Sequence, residues 1–306
     1  MSQKNHSAVV ATNDVLQEIK KTAIVAMFAD DELMNILVLK GGNAMDIVHQ
    51  VNSRASIDLD FSTSEELDVV SIQPKIAKAL KNTFELEGNL VFDIKMTIRP
   101  GRMPEELSAF WGGYYVEFKL ISLTRAEEIG YEVEKMRREA IRLGEGTKFT
   151  VDISRHEYIA DKQQHEINGY SIFVYSPEMI VCEKLRAICQ QMPDYGPIIQ
   201  RSGSGKERAR DFIDIEALVK KFGIDITTNQ TKYMLEQMFA AKKVPMDLIH
   251  KIKNTKSFHS LGFETVRGTM KPGVKIKSFE FYFEFVVEQC ARLESFGDIQ
   301  PPPTVV

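Results

Sequence analysis

Two aspartates one residue apart, Asp58 and Asp60 in Ile57-Asp58-Leu59-Asp60-Phe61, are the first place where side-chain type and spacing point to chemistry. In an extended strand successive side chains alternate. Ile57, Leu59 and Phe61 then face a core, and both carboxylates share the opposite face, about 7 Å apart. Such a pair can chelate a hard divalent cation, which takes oxygen ligands and shares them with substrate phosphates. Two solvated acids on an exposed strand are the plainer alternative, and for an isolated D-x-D the commoner one. Upstream, LVLKGGNAMDIV reads as a strand, a tight Gly41-Gly42 turn and a helix start. Glycine there lets backbone N–H groups approach a phosphate without an intervening Cβ, and Asn43 can donate a further hydrogen bond. Turns also use glycine for their own geometry. On neighbouring strands, the turn would hold a triphosphate and the acidic strand its metal.

A two-ion site needs a third carboxylate. In Phe149-Thr150-Val151-Asp152-Ile153-Ser154 the alternation puts Asp152 on the polar face, and Glu117 in Tyr115-Val116-Glu117-Phe118 has the same pattern. Asp152 is the candidate and Glu117 the reserve, with ordinary surface acids the alternative for both. Lys184 is anomalous in another way: its helical neighbours three and four residues away are Ile180, Val181, Ala187 and Ile188, all apolar. An ammonium there either snorkels to solvent or points into a cleft that holds phosphate or a carboxylate. Asp211 heads a stripe with Ile215, Leu218 and Phe222, and Asp214 lies one turn on. Asp211 is a site candidate whose alternative is a helix cap.

The elements that must position these groups fall into two parts. Helical and strand signals alternate in the first, which predicts helices over about Asp14–Ala29, Pro74–Phe84 and Arg125–Leu143. Strands are predicted at Ile36–Leu39, Ile57–Phe61, Leu90–Ile98, Tyr114–Ile121, Phe149–Ser154 and Tyr170–Tyr175. Ser176-Pro177 marks a boundary, because proline is welcome in a first helical turn and poor inside a strand. Beyond it, helices are expected near Pro177–Gln191, Arg210–Phe222, Lys232–Ala241 and Phe279–Ser295. Pro193–Lys206 reads as a surface loop, and the closing GDIQPPPTVV as an extended tail. The expectation is an α+β chain with residues 1–175 as a mixed-sheet domain and 176–306 as a helical domain contributing to the cleft.

With 306 residues, 43% of them hydrophobic, the chain can bury a sizeable core. It has no apolar run near the roughly 20 residues that cross a bilayer, and MSQKNHSAVVATND has no secretory pattern, so a cytoplasmic location without membrane partners is expected. Cys182, Cys189 and Cys290 read as reduced core thiols. A net charge of −4 argues against broad coating of nucleic acid. Local basic groups, including Lys242, Lys243, Lys251, Lys253 and Lys256, are more often solvated faces than binding patches.

Taken in order, LVLKGGNAMDIV, SRASIDLDF, KFTVDIS, SPEMIVCEKLRAI and RARDFIDIEAL resemble the motifs of the AbiEii-type nucleotidyltransferase toxins, over about Leu37 to Leu218. The resemblance implies a polymerase-β-like nucleotidyltransferase domain followed by an all-helical domain, with the active site between them. By position, it implies that Gly41 and Gly42 cradle a nucleoside triphosphate and that Asp58 and Asp60 ligate Mg²⁺, which Mn²⁺ could replace. Asp152 would ligate a second ion or deprotonate the acceptor. Lys184 would meet the phosphates, and Asp211 would complete the site or orient the acceptor. Family motifs more often have Ser or Thr where this chain has Asn43. The implied acceptor is a hydroxyl, such as an RNA end of the transfer-RNA type, and the implied partner a protein antitoxin. Two further readings stand beside it: a non-catalytic nucleotide- or partner-binding module of the same fold, and a nucleotidyltransferase acting on a protein or small molecule.

Overall fold

A computed structural model of the chain describes residues 10–51, 58–143, 146–270 and 275–293. Among the described residues seven strands form one sheet: β1 (Val38–Lys40), β2 (Leu59–Ser62), β3 (Asn89–Arg99), β4 (Gly113–Ser122), β5 (Phe149–Ser154), β6 (Gln163–Ile167) and β7 (Tyr170–Val174). Their order is β3-β4-β5-β2-β1-β7-β6. The pairs β1/β7 and β2/β5 run parallel and the others antiparallel, so the sheet is mixed, as expected.

One face of this sheet is apolar because its strands alternate. Along β5, Phe149, Val151 and Ile153 are buried while Thr150, Asp152 and Ser154 are only partly so. Helices Asn13–Phe28 and Val69–Leu86 cover the apolar side, with Phe28 against Phe61 of β2 at 5.9 Å and Phe84 against Phe118 of β4 at 5.8 Å between ring centres. The register fixes what the other side carries. Lys40 pairs Asp60, Asp60 pairs Asp152, and Asp152 pairs Tyr115. Directly opposed residues lie about 5 Å apart and point the same way, so these four side chains form one row across β1, β2, β5 and β4.

The second part is helical. Ser176 caps Pro177–Cys189 by accepting from the Met179 N–H at 3.2 Å, and Pro177 occupies the first turn. This helix packs against Ala209–Phe222 and Asn229–Ala240. Phe279–Ala291 closes over Ala209–Phe222, with the Phe212 ring 5.4 Å from Phe279 and 5.5 Å from Phe283. Among the described residues no helix is long and apolar enough to cross a membrane.

Several elements differ from expectation for identifiable reasons. Strand β1 begins at Val38 rather than Ile36 because Asp30 caps a short helix, Asp31–Ile36, accepting from Glu32 and Leu33 N–H groups at 3.1 Å. The helix expected from Pro74 starts at Val69, where Asp68 caps it, and Pro74 lies inside. The helix expected over Arg125–Leu143 is two short ones, Leu123–Glu128 and Val133–Glu139, parted at Tyr131, whose φ is 55°. Strand β6 was not anticipated, since its polar edge shows no apolar alternation, and the Pro193–Lys206 loop opens with a 3₁₀ turn, Pro193–Ile199. Ile57, the tail from Gly297 and the last residues expected of the Phe279–Ser295 helix lie outside the described residues.

Strands β4 and β5 approach so closely that a Cβ on Gly113 would lie 2.2 Å from the Ile153 carbonyl oxygen. That atom belongs to the backbone, so Gly113→Ala should lower unfolding stability by about 1–3 kcal/mol. Urea unfolding will show this as an earlier midpoint at unchanged slope; an unchanged midpoint would mean the strands separate without cost.

Candidate active site

The polar row faces a cleft of about 760 Å³ between the sheet and the helices. Gly41, Gly42, Asp58, Asp60, Asp152, Lys184 and Asp211 all line it, although they come from segments far apart in the chain. Asn43 and Glu117 do not. Asn43 is fully buried, and its amide donates to the Asp58 carbonyl oxygen at 2.5 Å, pinning the start of the acidic strand to the glycine turn rather than facing the cleft. Glu117 accepts from Lys148 at 2.9 Å and lines a separate groove on β3 and β4.

The carboxylates are crowded. Asp58 accepts from the Thr150 hydroxyl at 3.1 Å, which holds it beside β5 on the same face as Asp60 and Asp152. Gly41 has φ +69°, and a Cβ there would meet Asp60 Oδ2 at 2.6 Å, so the turn lies directly on that carboxylate. Burial lifts the Asp60 carboxyl to about 6; Lys40 pulls it back, while Glu183, Asp152 and Asp58 push it further up. Burial also raises Asp152, with Arg99 and Lys40 opposing and Asp58 adding to the rise. A cation would relieve this repulsion. Among the described residues no three His, Cys, Asp or Glu side chains stand close enough to hold an ion unaided. The cleft wall offers carboxylates without His or Cys, a donor set suited to Mg²⁺ or Mn²⁺ completed by phosphate oxygens and water, and unsuited to zinc or copper.

Behind the row lies a buried ion network that the sequence did not reveal. Lys40 Nζ donates to Glu183 Oε1 at 2.7 Å and Ser154 Oγ at 3.0 Å, and lies 3.7 Å from Glu157. Burial alone would depress its ammonium, but Glu183 and Glu157 hold it above the ordinary lysine value. Glu157 also accepts from both terminal nitrogens of Arg186, at 2.7 and 3.1 Å, and lies 3.5 Å from Lys242. Despite burial, Arg186, Lys242 and Lys40 keep the Glu157 carboxyl far below its usual range. Lys242 is not on a solvated face, as its basic neighbourhood suggested. It is 4% exposed and donates to the Arg155 carbonyl, and burial pushes its ammonium down to about 8 against the pull of Glu157. Lys40 had a signal of the kind that exposed Lys184: it ends the apolar run LVLK. Glu157 sits in a loop that no periodicity marks.

Across the cleft, Lys184 meets carboxylates. Its Nζ donates to Asp214 Oδ2 at 2.7 Å and Asp211 Oδ1 at 3.1 Å, and Arg208 Nε donates to Asp211 Oδ2 at 2.5 Å. Burial would raise the Asp211 carboxyl, yet Arg208 and Lys184 draw it down to about 2. The Asp211 side chain is thus held by cations rather than serving as a cap.

A model of the family described as nucleotidyl transferase AbiEii toxin, type IV toxin–antitoxin system, matches residues 23–284. No curated protein matches the chain in sequence. Among solved structures, the chain is similar to MenT4, a nucleotidyltransferase toxin from Mycobacterium tuberculosis, at 12% identity and a TM-score of 0.50, over 92% of this chain and 84% of that one. JHP933 from Helicobacter pylori is similar at 16% identity and a TM-score of 0.46, over 92% and 93% of the two chains. At such identities the likeness concerns the fold alone.

Glu157 is the common anion of three buried cations, so Glu157→Gln should destabilise the chain by about 3–5 kcal/mol. The folded-state carboxyl lies below its free value of 4.5. Its contribution is therefore full above that pH and lost as pH falls through the folded value. Urea unfolding of wild type and variant should accordingly give a gap that is constant near neutrality and narrows in acid; a gap independent of pH would contradict the assignment.

Proposed function

The chain belongs to the nucleotidyl transferase AbiEii toxin family, and on that basis we propose that it moves a nucleoside monophosphate from a nucleoside triphosphate to an acceptor hydroxyl on RNA, such as a transfer-RNA end. The observation that carries this reading is the row of Asp60 and Asp152 at paired positions, pressed against the Gly41 turn.

The acceptor oxygen attacks the α-phosphorus in line as the bond to the β-phosphate oxygen breaks, and pyrophosphate leaves. The Gly41-Gly42 turn cradles the triphosphate, with its backbone N–H groups toward the phosphate oxygens. Asp58, Asp60 and Asp152 would hold Mg²⁺ together with those oxygens, and the ion would supply charge neutralisation at the phosphates. Asp152 would either share in holding a second ion or take the proton of the acceptor hydroxyl. Lys40, held charged by Glu183 and Glu157, favours the ionised form of the neighbouring Asp60 carboxyl. Lys184 and Arg208, fixed by Asp211 and Asp214, offset charge on the departing pyrophosphate. In this reading residues 1–175 carry metal and triphosphate, and 176–306 complete the cleft. Eight basic and seven acidic side chains among the described residues line that cleft, so the net charge of −4 of the whole chain does not describe it. A cognate protein antitoxin, in keeping with the family description, and a cytoplasmic location complete the proposal, the location on the sequence alone.

Incubation with each labelled triphosphate, Mg²⁺ and total RNA should label RNA with wild type, and Asp60→Ala should lower transfer about a hundred-fold or more. Transfer unchanged in that variant would remove the assignment. Asp60 also sets a pH test. Its folded carboxyl is raised from 3.8 to about 6, so the fold favours the protonated form and its ionisation costs stability as pH rises through that window. Asp60→Asn, compared without divalent cation, should therefore melt at or above wild type at pH 8 while losing transfer when Mg²⁺ is supplied.

A further inference from the structure

Trp111 is the only tryptophan in the chain, and it lines the same cleft as Asp60 and Lys184. Phosphates and a cation need charge and backbone N–H groups; they give no reason for an indole on that wall. The other aromatic residue there, Tyr114, is 2% exposed and its hydroxyl accepts from the Leu67 N–H, whereas Trp111 is only half-buried.

Trp111 is tied down at its backbone and flanked at its ring. Its backbone N–H donates to the Leu107 carbonyl at 2.8 Å, and its carbonyl accepts from Arg155 Nε at 3.0 Å. Fully buried Tyr195 packs beside it with ring centres 6.1 Å apart, and Lys242 Nζ lies 6.0 Å from the ring centre. Lys242 is itself locked onto Glu157 and the Arg155 carbonyl. A half-buried indole on the wall of a polar cleft, with Tyr195 and Lys242 already packed against it, suits sequence-tolerant stacking of a planar heteroaromatic ring, because little side-chain freedom is lost on binding.

We propose that Trp111 is the stacking platform for a nucleobase in this cleft. The proposal rests on the nucleotidyltransferase reading and deepens it. The base comes either from the nucleoside triphosphate or from the terminal nucleotide of the acceptor, and the two sources share the chemistry that Trp111 recognises.

Because the tryptophan is unique, its emission reports this one position. Wild type is titrated with the four non-transferable α,β-methylene nucleoside triphosphates, with a short single-stranded RNA, and with inorganic triphosphate. Emission should be quenched by the nucleotides or by the RNA, whichever supplies the base, and not by inorganic triphosphate. Calorimetry on the variants should show Trp111→Ala weakening that same arm about ten-fold or more while Trp111→Phe stays near wild type. Affinity for inorganic triphosphate should be unchanged in both. Equal affinities for wild type and Trp111→Ala, or quenching by inorganic triphosphate equal to that by nucleotides, would overturn the platform. If the platform alone is wrong, pyrophosphate release persists in Trp111→Ala with an unchanged KM. If wild type binds neither nucleotide nor RNA and releases no pyrophosphate, the transferase reading falls and the platform with it.

Discussion

The register between β1, β2 and β5 is the constraint on which everything else rests. It sets Lys40, Asp60 and Asp152 side by side, while Leu39, Phe61 and Ile153 turn to the opposite face and into the core. A slip of one residue in any of these pairings would exchange the two faces, placing carboxylates among the phenylalanines and apolar side chains in the cleft. Burial of the apolar face therefore selects the register, and the register assembles the acidic row. The site is a consequence of how the core packs, and the Gly41 turn adds to it by lying where any side chain would collide with Asp60.

The row is kept in place at an electrostatic cost that the molecule meets with a second layer of charge. Glu157, from the loop after β5, joins Lys40 on β1, Arg186 on the Pro177–Cys189 helix and Lys242 beyond the Asn229–Ala240 helix. One buried anion thus ties the sheet to two segments of the helical part. Ion pairs of this kind add little net stability over apolar packing, but removing one member strands the others. Their value here is positional: they hold a lysine beside Asp60 and fix the width of the cleft.

Much of this was legible in the sequence wherever one periodicity answers the question. The alternation in β5 identified Asp152 as outward-facing, and the apolar neighbours of Lys184 marked it as a charge in need of an anion. Its anions proved to be Asp211 and Asp214, which the sequence placed on one helix without showing what they faced. Lys40, Glu157 and Lys242 were illegible because their meaning lies in partners remote along the chain; Lys40 and Glu183 are separated by 143 positions. Strand β6 was missed because a polar edge strand needs no apolar alternation. The break between Leu123–Glu128 and Val133–Glu139 is hidden because the charge pattern continues through the turn at Tyr131. The role expected of Asn43 depended on a side-chain direction that only the fold decides.

Diffraction from crystals grown with Mn²⁺ and a non-transferable nucleoside triphosphate, recorded at the manganese absorption edge, examines the acidic row itself. The account predicts an anomalous peak in contact with both Asp60 and Asp152, with the triphosphate along Gly41 and Gly42. Manganese bound away from those two carboxylates, or a nucleotide seated outside the cleft, would contradict it.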